Sequence, residues 1–322
     1  MAHKDTHSVL VTGATGFVGA ALVARLALDG LAVRAVVRNK ISPTTAKIDV
    51  VRVSELSAET DWSDALANMD AVIHLAARVH VMTDTANDPL TEYRRVNVEG
   101  TLNLANQAAA AGIKRFIFMS SIKVNGEKTV LNPFLADDAP DPQDPYGISK
   151  YEAEQGLLRL AAETGMEVTI IRSPLVYGPG VKANFLSMMR WLNRGIPLPF
   201  GAIQNKRSLV ALDNLIDLIA ICIHHPAAAN QIFLVSDDED LSTTELLCRM
   251  GHALDRPARL IRLPAAAIKV GAALLGRHNL AQRLCGSLQV DIKKTKELLG
   301  WSPPINVEEG LRRTVAGLHS SR

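Results

Sequence analysis

Residues 8–28 read SVLVTGATGFVGAALVARLAL. The apolar run at 8–12 predicts a buried strand, and the run at 16–28 predicts a helix that stops at Asp29-Gly30. Between them, the glycines permit a tight turn and let a pyrophosphate approach the backbone, while the helix N-terminus presents free N–H groups to the phosphates. A glycine-rich loop between a strand and a helix therefore predicts dinucleotide binding.

Alternation of short apolar runs and longer amphipathic stretches continues along the first half of the chain. Strands are predicted at 32–37, 50–53, 71–75, 116–119 and 168–171, and helices at 89–111 and 146–163. Nearly continuous apolar strands separated by helices are typical of a parallel sheet that is covered on both faces. The predicted fold is α/β, a Rossmann-type doubly wound parallel sheet.

The character of the sequence changes after about Pro174. Pro and Gly cluster at 177–180 and 195–201, and the remainder reads as mostly helical with isolated strands near 208–212 and 231–236. We predict a dinucleotide-binding domain at 1–175, with returning segments near 206–236, and a smaller, mainly helical substrate-binding lobe at 176–322.

Composition excludes several classes of function. Of 322 residues, 48% are hydrophobic and 21% are charged, so the chain can bury a core. The 35 Lys and Arg residues nearly balance the 33 Asp and Glu residues, which leaves no electrostatic basis for binding nucleic acid. Three well-separated cysteines favour neither disulfides nor a metal site and fit a cytoplasmic location. The apolar stretch 263–276 is shorter than the about 20 residues of a membrane span.

The residues after the second predicted strand bear on the cofactor. Residues 36–40 read VVRNK and hold no carboxylate to repel a 2′-phosphate, and Arg38 could pair with one. This pattern favours NADP(H), while Asn39 could hydrogen-bond a ribose hydroxyl and leaves NAD(H) open. Glu55 and Leu56 follow the third strand and are predicted to meet the adenine.

A tyrosine, a lysine and a serine form a candidate catalytic group. Tyr146 and Lys150 are four residues apart and would share one face of a helix that begins at Pro145. An ammonium near a phenol favours the phenolate, so such a tyrosine can exchange a proton with an alcohol or carbonyl. The buried strand at 116–121 ends in Ser120-Ser121, where a hydroxyl could hold the same oxygen. This points to hydride-transfer chemistry; a non-catalytic cofactor sensor would be expected to lack the tyrosine or lysine.

The motifs together resemble the extended short-chain dehydrogenase/reductases of the nucleotide-sugar epimerase/dehydratase group. The resemblance covers nearly the whole chain and is carried by TGATGFVG at 12–19, HLAA at 74–77, NVEGT at 97–101, SS at 120–121, YGISK at 146–150, RSPLVYGPG at 172–180 and RSLVALDN at 207–214. It implies a UDP-sugar substrate, and a homodimer is the habit of the family.

The resemblance also implies roles for individual residues. Ser121, Tyr146 and Lys150 become the catalytic triad, with Ser121 chosen over Ser120 by aligning VNG at 124–126 with the family's Val-Tyr-Gly. Lys150 would also bind the nicotinamide ribose. The other implied cofactor contacts are Gly13, Thr15, Gly16, Phe17, Val18, Gly19, Arg38, Glu55, Leu56, Leu75, Ala76, Ala77 and Asn97. Beside Ser121, the implied substrate contacts are Asn184, Arg207 and Arg283, which suit the diphosphate.

Among the reactions of this group, the sequence excludes one and ranks two. Ile122 and Lys123 occupy the positions of the Asp-Glu pair of 4,6-dehydratases and cannot replace those acids. The missing ribose acid, and Asn125 in place of the usual tyrosine, favour a reductase over an epimerase. The stretch 120–127 is also similar to the UDP-N-acetylquinovosamine dehydrogenases. We therefore expect an NAD(P)-dependent oxidoreductase acting at C4 of a UDP-linked, N-acetylated, 6-deoxy hexose in polysaccharide or lipopolysaccharide precursor synthesis. The alternative is a UDP-GlcNAc/UDP-glucose 4-epimerase with tightly bound NAD.

Overall fold

The computed structural model describes residues 8–38, 48–79, 88–274, 282 and 284–320. The strands in these ranges are β1 (Ser8–Thr12), β2 (Ala32–Val37), β3 (Ile48–Arg52), β4 (Ala71–His74), β5 (Arg115–Ser121), β6 (Glu167–Ser173), β7 (Leu175–Tyr177), β8 (Arg207–Ala211), β9 (Gln231–Leu234) and β10 (Asp240–Leu241). The helices are α1 (Phe17–Leu28), α2 (Ser63–Leu66), α3 (Pro89–Arg94), α4 (Gly100–Ala110), α5 (Pro145–Thr164), α6 (Ala183–Asn193), α7 (Leu212–His224), α8 (Thr243–Ala253), α9 (Ala265–Leu274), α10 (Lys293–Leu299) and α11 (Val307–Ser320).

Seven strands form one parallel sheet in the order β3-β2-β1-β4-β5-β6-β9. The chain builds outward from β1 to β3 on one side and then crosses to β4, so the strand order reverses between β1 and β4. In doubly wound sheets, ligands bind at the carboxyl ends of the strands beside such a reversal. The predicted fold class is confirmed.

The sheet has a hydrophobic core on each face, because successive side chains of a strand point to opposite sides. Val9 and Val11 pack on the face that α1 and α7 cover, whereas Leu10 packs on the face that α4 and α5 cover. Both sides of the strands are therefore apolar, which explains why their sequences read as nearly continuous hydrophobic runs.

The strands after β6 divide between two sheets. β9 returns to the large sheet and pairs with β6, whereas β8 lies between β7 and β10 in a sheet of three. Leu212, predicted as strand, begins α7. A third core joins this small sheet to α6, α8 and α11 through buried side chains that include Tyr177, Phe185, Met189, Leu247 and Leu311.

Across the ranges that the structure describes, no helix combines the length and the apolar character needed to cross a bilayer.

Candidate active site

The connection from β1 into α1 leaves no room for a side chain at two of its glycines. Gly13 has φ +68°, and a Cβ there would lie 2.8 Å from the backbone of Leu75 and Ala76. A Cβ on Gly19 would lie 2.1 Å from the carbonyl oxygen of Gly13. Glycine is therefore required by close backbone approach as well as by the turn. The segment after β4, which holds the predicted residues Leu75, Ala76 and Ala77, lies directly against this loop.

The start of α1 suits a phosphate group. Gly16 is the N-cap residue and has no side chain to bond the first backbone N–H groups. Thr15 and Gly16 are exposed, and Phe17 and Val18 are partly so. Uncapped N–H groups and the positive end of the helix dipole favour an anion here. The loop thus fits the pyrophosphate of a dinucleotide, with backbone N–H groups as donors.

The residues predicted to meet the adenosine half lie at the carboxyl ends of neighbouring strands. Arg38 is exposed just after β2, and its carbonyl oxygen accepts a bond of 3.1 Å from Arg52 Nε. Glu55 forms an ion pair with Arg95, and Leu56 packs against Gly100. Asn39 lies outside the described residues.

The predicted triad comes together at the ends of β5 and α5. Ser121 is the last residue of β5, Tyr146 lies in the first turn of α5, and their side chains share a hydrogen bond. The helix starts as predicted, with Pro145 at its first position. Its N-cap is Asp144, whose carboxylate accepts from Gly147 N at 2.7 Å and pairs with Lys123.

Asp144 and Lys123 support the start of α5 in a way that the sequence did not predict. The signal was available in part, because an acidic residue before a proline is a frequent helix start. The pairing with Lys123 joins the segment after Ser121 to the start of α5, which holds the serine and the tyrosine in register.

Burial governs the pKa values of the two titratable members of the triad. Burial raises the pKa of Tyr146 above its usual value, the charge of Asp144 adds to this, and the bond with Ser121 opposes it. Burial also lowers the pKa of Lys150 to about 7, against the attraction of Glu154. The Lys150 ammonium donates to Met119 O at 2.8 Å and lies 4.3 Å from the ring centroid of Phe118. The expected lowering of the phenol pKa does not follow from this geometry, in which burial raises the pKa of Tyr146 and lowers that of Lys150.

A π-helical turn interrupts the helix that was predicted at 89–111. It spans Arg95–Glu99 between α3 and α4. Its buried Asn97 accepts from Arg78 N at 2.8 Å and donates to Arg78 O and to Ser149 Oγ, both at 3.0 Å. Such turns are frequent at functional sites. Asn97 ties the segment after β4 to the helix of Tyr146, and its direct contact with a cofactor stays a prediction.

The structure describes two of the three residues that were predicted to bind the substrate diphosphate. Asn184 is exposed in the first turn of α6, whose N-cap Lys182 makes no side-chain cap. Arg207 begins β8, is half-buried, and donates to Gly286 O at 3.1 Å. Arg283 lies outside the described residues. Within the described part of the chain, no group of three or more His, Cys, Asp or Glu side chains could hold a metal ion.

A buried ionic network lies directly behind the triad. Glu154 is fully buried and accepts from Ser120 Oγ at 2.5 Å, and its carboxylate pairs with Arg172 at 2.6 Å. Arg172 also donates to Asn125 Oδ1 at 3.0 Å, and Asn125 Nδ2 donates to Leu135 O at 2.9 Å. Every charge in this network has a partner, as buried charges require.

Fold, glycine loop and triad define a nucleotide-binding enzyme of the short-chain dehydrogenase/reductase type. The chain belongs to the NAD dependent epimerase/dehydratase family, because the sequence model of that family matches residues 9–236. Of the two cofactors that the sequence left open, NAD is the one that the family description names.

Within this family, the chain is similar to proteins whose names refer to UDP-sugars. A protein of Vibrio cholerae named UDP-glucose 4-epimerase is 51% identical over 314 residues, which cover 97% of this chain and 95% of the relative. The solved structure of MoeE5 in complex with UDP-glucuronic acid and NAD matches with a TM-score of 0.77 at 26% identity, covering 98% of this chain and 100% of that one. UDP-glucose 4-epimerase from Thermotoga maritima, with UDP-glucose, has the same TM-score at 23% identity, covering 98% and 99%, and shows likeness of fold.

The prediction of a C4 reductase or dehydrogenase is wrong, because the 51% identical relative of nearly the same length is named a 4-epimerase. The structure supplies a physical reason for the error. Asn125 was interpreted as a changed wall near the sugar, yet its side chain is buried and bonded to Arg172 and Leu135. It belongs to the network behind the triad and says nothing about the reaction.

Proposed function

We propose that this protein is an NAD-dependent 4-epimerase of UDP-hexoses, with UDP-glucose and UDP-galactose as its substrate pair. The observation that carries the proposal is the 51% identity, over nearly the whole chain, to a protein named UDP-glucose 4-epimerase. The geometry supports it, because a hydrogen-bonded serine–tyrosine pair lies at the carboxyl end of the sheet that carries the glycine loop.

The glycine loop and its neighbours would hold the cofactor. Gly13, Gly16 and Gly19 would admit the pyrophosphate to the backbone, and Lys150 would bind the nicotinamide ribose through its ammonium. When bound, NAD supplies an acceptor that takes the hydride from C4 and later returns it.

Ser121 and Tyr146 would act together on the C4 oxygen. Two hydroxyl groups that already share a hydrogen bond can bracket one substrate oxygen, so that Ser121 orients it while Tyr146 exchanges its proton. Removing a proton from the C4 hydroxyl requires the phenolate of Tyr146. An ammonium on Lys150 would favour the phenolate, against the burial that raises the phenol pKa. Because burial raises the pKa of the phenol, the phenolate is a strong base toward the C4 hydroxyl, and Tyr146 would return the proton as the hydride comes back and C4 becomes an alkoxide.

The diphosphate of the substrate would bind away from the reacting carbon. Asn184 and the uncapped first turn of α6 offer an amide and backbone N–H groups to phosphate oxygens. Arg207 supplies a guanidinium, and Arg283 is proposed for the same task on the resemblance alone. Anchoring at the diphosphate leaves the sugar free to turn, and an epimerase must present both faces of C4 to one hydride acceptor.

The test is conversion of UDP-galactose to UDP-glucose by the purified protein without added cofactor. We expect interconversion to an equilibrium mixture, and we expect NAD in the supernatant after the protein is denatured. A parallel reaction with UDP-GlcNAc measures how strongly the rate depends on the substituent at C2 of the sugar. Stoichiometric oxidation of added NADH or NADPH by a UDP-4-keto sugar, with no interconversion, would refute the epimerase.

A matched control separates this chemistry from contamination. Glu152→Gln changes a half-buried carboxylate on α5, which pairs with Arg94, and should leave interconversion intact. Loss of conversion in a variant of Tyr146 but not of Glu152 assigns the activity to this protein.

A further inference from the structure

One helix of the C-terminal half presents an apolar side to solvent. α9 reads AAAIKVGAAL, and its Ile268 packs on the third core. Its opposite side exposes Val270 by 60% and Leu274 by 84%, and the preceding Ile261 is also exposed. Large apolar side chains that are exposed close together mark an interaction surface more often than isolated ones do.

The sequence around α9 carries positive charge alone. Residues 256–290 contain six Arg and Lys and no Asp or Glu. Arg256, Arg259 and Arg262 are exposed, and no ion pair with them occurs in the ranges that the structure describes. Arg249, just before this stretch, pairs with both Glu239 and Glu308. Within the described ranges, these three arginines therefore lack the carboxylate partners that Arg249 has.

A second exposed apolar segment is hydrogen-bonded to the first. Leu198 N donates to Arg259 O at 2.9 Å, and Ile261 N donates to Leu198 O at 2.8 Å. Shortly before Leu198, Trp191 and Ile196 are exposed and joined by a backbone bond of 3.1 Å. We call the set of Trp191, Ile196, Arg256, Arg259, Ile261, Arg262, Val270 and Leu274 the apolar-basic face.

We propose that the apolar-basic face docks on a bilayer surface that contains anionic lipid. Charge complementarity selects this occupant, because the three exposed arginines of the face, which have no ion-pair partner in the described ranges, suit a layer of negative headgroups. The apolar side chains of α9 would enter the boundary between headgroups and acyl chains, as in helices that lie in the plane of a membrane. Exposed tryptophans such as Trp191, whose segment is hydrogen-bonded to the one before α9, are typical of membrane–water interfaces. The protein would then bring its active site to the membrane surface without crossing the bilayer.

The first experiment is flotation of the full-length protein with vesicles. One set of vesicles contains phosphatidylcholine and 30% phosphatidylglycerol, and the other contains phosphatidylcholine alone. We expect the protein to float with the anionic vesicles, to float poorly with the neutral ones, and to be released by high salt, since surface charges are screened. Equal behaviour with both sets, or no flotation with either, overturns the proposal.

Intrinsic fluorescence offers an independent reading from the same samples. Of the three tryptophans, Trp62 and Trp301 are 2% exposed and Trp191 is 41% exposed. A blue shift on adding anionic vesicles, absent in Trp191→Phe, is expected if the face enters the interface. A shift that persists in Trp191→Phe would contradict docking through this face.

Matched variants test which side chains bind. Leu274→Asp should lower the vesicle partition coefficient by about tenfold or more, whereas Leu28→Asp should not, although Leu28 is 86% exposed at the end of α1. The triple change of Arg256, Arg259 and Arg262 to Gln should lower it by about 100-fold. The control triple is Lys114, Arg159 and Lys293 to Gln, three exposed residues elsewhere, and it should have a small effect.

Two readouts keep these outcomes interpretable. Thermal unfolding and interconversion of a soluble UDP-sugar should be unchanged in the face variants, which shows that lost flotation is not lost folding. Equal effects of Leu274→Asp and Leu28→Asp would sink the proposal. If vesicles are not bound but Leu274→Asp converts a dimer to a monomer, the face joins two copies of this chain and the membrane proposal is wrong.

Discussion

Ser121 and Ser120 are neighbours at the end of β5, yet they face opposite sides of the strand and lie in different surroundings. Ser121 is half-buried and bonds the phenol of Tyr146. Ser120 is buried and bonds the carboxylate of Glu154. The same contrast holds along α5. Lys150 lies with Ser121 and Tyr146 at the candidate site, whereas Glu154, one turn later, lies with Ser120 in the buried ionic network. These are two sets of side chains with different surroundings.

The two sets use polar atoms in opposite ways. Behind the site, Glu154 and Arg172 form a two-point ion pair, and both side chains make further hydrogen bonds to Ser120 and Asn125. At the site, Tyr146 and Lys150 have pKa values shifted by burial, and Lys150 titrates near 7. The fully paired charges behind the site stabilise the fold. The groups with shifted pKa values lie where we propose that a proton is transferred.

The largest effect is expected at the reacting phenol. Tyr146→Phe removes the group that we propose exchanges the C4 proton, and it should lower kcat by about 10³- to 10⁴-fold. Thermal stability and the NAD released on denaturation should change little, because the ring still packs at the start of α5. Turnover within tenfold of the native enzyme would contradict the role of Tyr146.

The next largest effect is expected behind the site. Glu154→Gln keeps the shape of the side chain but leaves the buried Arg172 without a counter-charge, which should lower the free energy of unfolding by about 3 kcal/mol. Glu152→Gln, on the same helix, breaks a pair with Arg94 that is largely open to solvent and should have a much smaller effect. Urea unfolding of both variants makes the comparison, and similar losses would show that burial is not the deciding factor.

The adjacent serines provide the most direct test of the contrast. Ser121→Ala should lower kcat by about 10²-fold with little change in stability, because it removes the bond that orients the C4 oxygen. Ser120→Ala should lower the free energy of unfolding by about 2 kcal/mol and leave kcat nearly unchanged, because it removes a buried bond to a charged acceptor. Kinetics and urea unfolding on the same preparations decide, and an exchange of the two effects would place the catalytic hydroxyl on the other serine.

The shifted pKa of Lys150 predicts how stability depends on pH. Its folded-state pKa of about 7 lies below the ordinary value of 10.5, so between these values the unfolded chain binds more protons than the folded one. Stability should therefore rise with pH across this window, by up to about 1.4 kcal/mol for each pH unit, relative to Lys150→Met. Lys114→Met, at an exposed lysine, is the control. Urea unfolding at pH 7, 8 and 9 checks the slope, and parallel curves for native protein and Lys150→Met would disprove the shift.

Local sequence predicted the parts of the molecule that local geometry determines. Gly13 and Gly19 could be recognised because a strand–turn–helix connection with close backbone approach requires glycine at fixed spacing. Tyr146 and Lys150 could be recognised because a spacing of four places them on one helix face. The parallel sheet followed from apolar runs at regular intervals, since each strand is buried on both faces.

The features that could not be predicted from the sequence depend on contacts between residues far apart in the chain. Arg172 meets Glu154 18 residues away and Asn125 47 residues away, and no local spacing indicates either pairing. The π-helical turn at Arg95–Glu99 was missed because its apolar pattern is that of a continuous helix. The error about the reaction has the same origin: Asn125 stands in a motif associated with the sugar, but its surroundings are set by tertiary structure.

Asn125 therefore offers the finest test of where the site ends and the supporting network begins. Asn125→Ala leaves Leu135 O without its side-chain donor and removes one acceptor from Arg172, which should lower the free energy of unfolding by about 1 kcal/mol. Because the side chain is 2% exposed, the ratio of kcat/KM for UDP-galactose to that for UDP-N-acetylgalactosamine should stay the same. A changed ratio with unchanged stability would return Asn125 to the wall of the sugar pocket and would move the boundary between the two sets of side chains.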